Sequence, residues 1–163
     1  MCKDVVLLRY SKVIFVSTSG NCRCILSKAI FNNLKNDMDI YAEARGKVVL
    51  FEEPANPKAV AIAKSKGISI EDETSKQLSN EDFGEDVLVL VMTDLLKKEI
   101  YEEYESAINV YSIREFALEA VDVEVTYGGE LVDYGELYEH IENLVTKVIV
   151  RIKEMEEETE EKL

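Results

Sequence analysis

The sequence predicts an α/β domain built on a parallel sheet, and three observations carry that expectation. Two unbroken apolar runs, Val13-Ile14-Phe15-Val16 and Val87-Leu88-Val89-Leu90-Val91-Met92, are bounded by polar residues and suit short strands covered on both faces. Stretches of helical spacing lie between and after them, and strands alternating with helices give a parallel sheet. The third observation is a loop of small and polar residues, Ser17-Thr18-Ser19-Gly20-Asn21-Cys22-Arg23-Cys24, set between the first apolar run and the first helical pattern. Successive backbone N–H groups of such a loop converge at a helix N-terminus, where the helix dipole also favours an anion.

Taken in order, Lys12 to Val16 is the first strand, and Ile25, Leu26, Ala29, Ile30 and Leu34 recur at helical spacing after the loop. Asn32, Asn33, Asn36 and Asp37 end that helix. A second strand falls within Asp39 to Ala44 or Lys47 to Phe51, both short, and the pattern leaves the two open. In Glu53-Pro54-Ala55-Asn56-Pro57, Asn56 reads as an N-cap, Pro57 as the first helical residue, and Gly67 follows the last turn. Val87 to Met92 is a central strand, Leu95 to Glu105 a helix, Asn109 to Ser112 a short strand and Ile113 to Glu119 a short helix. From Leu131 onward Tyr134, Leu137, Ile141, Leu144, Val148, Ile152 and Met155 recur every three or four residues, so a long amphipathic helix closes the fold, its stripe read as core packing.

Composition bounds the function. At 163 residues and 47% hydrophobic content the chain suits one well-covered core, so residues 1–163 are expected to form a single domain. With 33 acidic against 19 basic side chains the formal charge is −14, which argues against nucleic acid and anionic membranes as partners without excluding a local phosphate site. The acidic runs Glu71-Asp72-Glu73 and Glu154 to Glu161 read as a surface loop and a solvated helix end, with a frayed tail over about 154–163. No stretch reaches the roughly 20 apolar residues of a membrane span, and Lys3, Asp4 and Arg9 interrupt the N-terminal apolar run. Cys2, Cys22 and Cys24 form no disulfide framework, as a reducing compartment permits, so the expected location is cytoplasmic. Cys22-x-Cys24 has too few partners for a zinc site, and no metal or cofactor is expected.

The polar loop after the first strand, Glu53-Pro54-Ala55-Asn56-Pro57-Lys58-Ala59-Val60, Ser75-Lys76-Gln77-Leu78, Val89-Leu90-Val91-Met92-Thr93 and Tyr127-Gly128-Gly129 before the last helix together resemble the low-molecular-weight protein tyrosine phosphatases, nearly end to end. In that family a Cys-x5-Arg loop binds phosphate. Its Cys attacks phosphorus, its Arg clamps two oxygens, and an Asp in an Asp-Pro pair near the last helix protonates the leaving phenol. The resemblance implies three layers, with a four-stranded parallel sheet flanked by helices, a phosphate-binding loop after the first strand and a long C-terminal helix. Open α/β sheets generally bind ligands at that end of the strands.

Carried over residue by residue, the resemblance makes Ser17, Thr18, Ser19, Gly20, Asn21, Cys22 and Arg23 the phosphate-binding loop, with Tyr127 flanking the substrate. Arg23 retains the family's Arg, whose planar fork matches phosphate oxygens. The nucleophile position is Ser17, and Val125 stands where the general acid should be. Cys24 replaces the usual loop Ser, Ile25 the following Pro, and Glu73 a His commonly found behind the loop, while the Gly-Asn pair comes one place late as Gly20-Asn21. A serine needs an adjacent base, usually His, and His140, the lone His, reads as a surface or structural residue. Asp122 and Glu124 are displaced candidates for the proton donor but read better as loop acids. Neither Cys22 nor Cys24 begins a Cys-x5-Arg loop, and the later cysteines of the related arsenate reductases are missing.

Three readings of function follow. The first is a degenerate phosphatase that binds phosphate or a phosphotyrosine-containing protein with impaired turnover. The second is an enzyme, either an active phosphomonoester hydrolase or a substrate trap engineered at Ser17, against which the change at Val125 speaks. The third is a scaffold whose anion site is lost, since an ionised Glu73 beside the loop would repel an anion. Nothing in the pattern specifies an oligomeric state.

Overall fold

The computed structural model describes residues 10–124, 126 and 129–161. Cys2, Val125 and Tyr127, three residues singled out above, lie outside them. Among the described residues five α-helices and four strands follow in the order β1 (Lys12–Ser17), α1 (Arg23–Leu34), β2 (Tyr41–Gly46), α2 (Pro57–Ser65), β3 (Val87–Val91), α3 (Asp94–Glu103), β4 (Val110–Ser112), α4 (Ile113–Phe116) and α5 (Leu131–Glu161). The strands form one sheet of order β2-β1-β3-β4, and each neighbouring pair is parallel. This is the expected four-stranded α/β fold.

The apolar runs explain why β1 and β3 are central. Val13, Ile14, Phe15 and Val16 are all 0% exposed, as are Leu88, Val89, Leu90 and Val91, so both faces of the sheet are covered. Alternation sends Val13, Phe15, Leu88 and Leu90 into the larger core with α1, α2, α4 and α5. Ile14, Val16, Val87, Val89 and Val91 face the smaller one, where α3 contributes Leu96 and Ile100. Phe15 meets Phe31 of α1 edge-on, with ring centroids 5.9 Å apart.

Of the two segments open for the second strand, the structure uses the first and carries it on to Gly46. The reason lies in α1, where the Asn32 amide brackets Ala42: the Ala42 N–H donates to Asn32 Oδ1 at 2.9 Å and Asn32 Nδ2 donates to the Ala42 carbonyl at 3.2 Å. Lys47 to Phe51 instead forms a loop. Asn56 caps α2 as expected, accepting from the N–H groups of Lys58 and Ala59, and Gly67 takes a positive φ of 80° beyond the helix end.

One extent needs correction. The helix read over Ile113 to Glu119 stops at Phe116, because its start is a capping box between Ser112 and Glu115 and the chain reverses at Leu118 with φ 60°. The acidic run from Glu154, read as a solvated helix end, lies on α5, which extends to Glu161. Ile152 is buried and Met155 packs on the core, which anchors the acidic turns that follow. Among the described residues no helix is long and apolar enough to cross a membrane.

Truncating Phe31 to Ala removes a ring that is 0% exposed. The expected cost is about 3–5 kcal/mol, read from the urea unfolding midpoint at constant slope.

Candidate phosphate-binding site

β1 delivers Ser17 to the C-terminal edge of the sheet, and the chain crosses from there to α1 in five residues, Thr18 to Cys22. Ser17 is 1% exposed, and its hydroxyl oxygen accepts the Gly20 N–H at 3.2 Å. Gly20 sits at φ 76° and presses on Gly46, the last residue of β2. A Cβ on Gly20 would lie 2.8 Å from the Gly46 Cα and N, so the two backbones touch with no room for a side chain. The neighbouring N–H groups of Lys47 and Val48 donate to the carbonyls of Ser17 and Thr18, each at 2.9 Å, extending the β1–β2 pairing past the strand ends.

The outer side of the loop is tied as closely. The Asn56 N–H donates to the Asn21 carbonyl at 2.9 Å, Asn21 Nδ2 donates to Glu53 at 3.0 Å, and Ser19 Oγ donates to Asn21 Oδ1 at 3.0 Å. Behind these, the Ser75 N–H donates to the Glu53 carbonyl at 2.8 Å while Ser75 Oγ accepts the Glu53 N–H at 2.9 Å. Gln77 holds the next turn, accepting the Val49 N–H at 2.8 Å and donating to the Lys47 carbonyl at 2.6 Å. The segments around Glu53 to Asn56 and Ser75 to Gln77 are therefore the braces of the loop.

Helical spacing was expected to begin at Ile25, but α1 begins at Arg23, so Arg23 and Cys24 stand in its first turn rather than in the loop. Cys22 precedes the helix and makes no side-chain cap bond, and the first turn holds no acid. The first N–H groups of a helix have no partner within it, and the Cys22 side chain does not cap them. Arg23 is only 6% exposed and donates from Nη1 to the Val123 carbonyl at 2.8 Å. That acceptor comes from the segment after α4, and no sequence signal marks it. Its own carbonyl accepts Ser27 Oγ at 2.7 Å.

Cys22, at the end of the loop, and Cys24, in the first turn of α1, are free thiols held in the neutral form. Burial pushes the Cys22 thiol up to about 12, nearby Cys24 adds to the effect, and the Arg23 charge only partly opposes it. Burial likewise raises Cys24, against hydrogen bonding to Ser17 and the Arg23 charge. Cys24 is 0% exposed and lies directly behind Ser17. Neither is a ready nucleophile.

Other ionisable candidates are already engaged. Glu73 receives both contacts of Lys28 Nζ, at 2.9 and 3.0 Å, so the charge that threatened an anion is neutralised by an α1 side chain. Asp122 accepts from Arg114 Nε at 3.1 Å and from the Asp94 N–H at 3.1 Å, and Arg114 also binds Asp94. Glu124 is exposed. His140, half-buried on α5, has its Nε2 out of water and without a hydrogen-bond partner among the described residues. With Asp122, Glu124 and Asp133 it lines a cleft of about 560 Å³ beside Val123. Among the described residues no three His, Cys, Asp or Glu side chains are placed to hold a metal ion.

The sequence model of the low molecular weight phosphotyrosine protein phosphatases matches residues 12–160. The chain belongs to this family. Its curated relative, the low molecular weight protein-tyrosine-phosphatase PtpB of Staphylococcus haemolyticus (strain JCSC1435), is 25% identical over 137 residues, covering 84% of this chain and 96% of that protein. Among solved structures, the low molecular weight protein tyrosine phosphatase from T. tengcongensis is 34% identical, covers 85% of this chain and 97% of its own, and superposes with a TM-score of 0.79. A serine variant of the YwlE arginine phosphatase, solved with its active site serine phosphorylated, is 24% identical with a TM-score of 0.78 over 87% of this chain and 95% of its own. At that identity the likeness is one of fold.

Two outcomes test the packing of this loop. Gly20→Ala introduces a Cβ against the Gly46 backbone at a positive φ, and should destabilise the fold by about 2 kcal/mol in urea titration. Cys22 and Cys24 should resist iodoacetamide at pH 8 in the folded protein and react once it is unfolded, as counted by mass spectrometry. The sign of the linked pH effect follows from the same burial: unfolded thiols release their protons near 9.0 while the folded state keeps them. Stability should therefore fall as pH rises from about 9 toward 12, and Cys22→Ser should flatten that slope.

Proposed function

We propose that this phosphatase-family protein binds phosphate, or a protein bearing phosphotyrosine, with its hydrolytic turnover impaired. The observation that carries this reading is the residue at the nucleophile position: Ser17, nearly all buried, with a hydroxyl rather than a thiol. A thiol at a helix N-terminus beside an Arg supplies a nucleophile without a separate base, whereas a hydroxyl needs one. Two of the acids weighed above are committed elsewhere, Glu73 to Lys28 and Asp122 to Arg114 and the Asp94 N–H. Val125 at the general-acid position removes a second contribution, worth on the order of 10²–10⁴ in rate.

Binding is supported by what remains. Arg23, the N-terminus of α1, which the Cys22 side chain does not cap, and the braced loop from Ser17 to Cys22 together offer charge and N–H donors to a phosphate dianion. The Lys28 pair takes away the strongest local objection, that Glu73 repels an anion. The free thiols Cys22 and Cys24 accord with a reducing compartment, and the protein is assigned to the cytoplasm on this reading.

Restoring both groups tests it. Ser17→Cys with Val125→Asp should raise p-nitrophenyl phosphate hydrolysis by at least ~10⁴ over the native chain, each group supplying a separate factor. Native hydrolysis should equal that of Arg23→Ala, while calorimetry detects phosphate or a phosphotyrosine peptide with the native chain and not with Arg23→Ala. Native turnover that is lost with Arg23 would instead make the protein an active phosphomonoester hydrolase. No binding heat at millimolar ligand would favour a scaffold.

A further inference from the structure

The strand order β2-β1-β3-β4 leaves β2 and β4 each with one side that no strand of the sheet covers. Peptide groups on such a side are a template for pairing with another chain. We propose that Asn32 and Tyr101 close these two edges, and that without the Asn32 amide the β2 edge pairs with the β2 edge of a second copy of this chain.

Along β2 the groups facing away from β1 belong to alternate residues, Ala42, Ala44 and Gly46, and each is met differently. At Gly46 the main chain closes the edge: the Gly46 N–H donates to the Lys76 carbonyl at 2.7 Å, and its carbonyl accepts the Leu78 N–H at 2.9 Å. At Ala44 the carbonyl accepts Arg45 Nη1 at 2.8 Å, and Arg45 is itself held by Glu43 and Asp82. Ala42 is left to Asn32. One side-chain amide accepts the Ala42 N–H and donates to the Ala42 carbonyl, as the peptide group of a neighbouring strand would.

β4 is closed by the same logic with a different group. The Tyr101 hydroxyl accepts the Val110 N–H at 3.1 Å and donates to the Val110 carbonyl at 3.2 Å. The Ser112 N–H donates to Glu115 at 3.0 Å. An amide and a phenol share the one property required, a donor and an acceptor within reach of a single residue's backbone. Each is carried by the helix packed beside its strand, α1 for β2 and α3 for β4. Core packing gives no reason for these residue types: Tyr101 is 46% exposed, and asparagine is a poor helix former.

Removing the Asn32 amide frees a donor and an acceptor at Ala42 together. Two such edges meeting antiparallel about a twofold axis satisfy each other, because twofold pairing sets the same patch of both copies face to face. The segment from Lys76 to Leu78 stays across the Gly46 end, so pairing is confined to the Tyr41 end and stops at two chains. The β4 edge has no comparable reach. It is three residues long and runs straight into α4, so freeing Val110 exposes one residue and supports no partner strand.

The test compares the native full chain with Asn32→Ala, Asn32→Asp and Tyr101→Phe, each checked for folding by circular dichroism. Amide exchange followed by NMR in dilute solution should be faster by at least ~10-fold at Ala42 in Asn32→Ala and at Val110 in Tyr101→Phe. In sedimentation velocity over a concentration series, Asn32→Ala should pass to a heavier species at a concentration at least ~10-fold below any at which the native chain does so. Tyr101→Phe should sediment as the native chain. Asn32→Asp keeps an acceptor for the Ala42 N–H and sets a charge on the edge, so it should sediment as the native chain too. Unchanged exchange at either amide overturns the role of the residue that covers it. Asn32→Ala sedimenting as the native chain overturns the pairing, and so does Asn32→Asp associating as strongly as Asn32→Ala, which would trace association to loosened packing rather than to an open edge. An Asn32→Ala chain that does not fold also overturns it, since Asn32 would then be needed to form the sheet and not to close it.

Discussion

The site depends on a contact between two glycines. Gly20 and Gly46 bring the loop after β1 against the end of β2 so closely that a Cβ on either would fall within 3 Å of the other backbone. Because that distance admits only hydrogen, the carbonyls of Ser17 and Thr18 come within reach of the N–H groups of Lys47 and Val48. The loop is thereby continuous with the sheet. Its turn into α1, the burial of Arg23 and the seating of Ser17 all follow from a chain direction set at this point.

Electrostatics divides the molecule into a general field and one local exception. The chain carries a formal charge of −14, and three cations near the loop are each tied to one or two acids. Lys28 meets Glu73, Lys47 meets Glu99 and Glu103, and Arg114 meets Asp94 and Asp122. What the site adds to this balance is backbone polarity at the start of α1 and a guanidinium that is almost entirely out of water. Desolvation strengthens both toward an anion, since fewer water dipoles screen them. The same burial raises the Cys22 and Cys24 thiols, so the environment withholds a thiolate at these two positions.

Much of the architecture was legible because burial on both faces leaves an unbroken apolar run, as at Val13 to Val16 and Val87 to Val91. The cap at Asn56 and the long stripe of α5 were equally plain, since both rest on bonds or spacings within one segment. β2 was harder. Tyr41 to Gly46 carries Glu43 and Arg45, and its strand character comes from pairing with β1 and from the Asn32 amide across the helix. The helix after Ser112 was read too long because the chain turns at Leu118 with φ 60°, a conformation that leucine does not signal.

For the site, the identity of the groups was available from residue order and the partners were not. The proposed roles, Ser17 at a nucleophile's place, Arg23 as the retained clamp and Val125 where an acid would act, rest on chemical type, which spacing and resemblance can suggest. Tertiary structure decided that Val123 supplies the carbonyl for Arg23, that Lys28 neutralises Glu73, that Cys24 lies behind Ser17 and that Gly46 faces Gly20. Each joins segments brought together by the packing of α1 and the strand order of the sheet, and no local pattern encodes such a distance. Sequence alone determined which reacting groups the loop can offer; the fold decided how they are charged, buried and held.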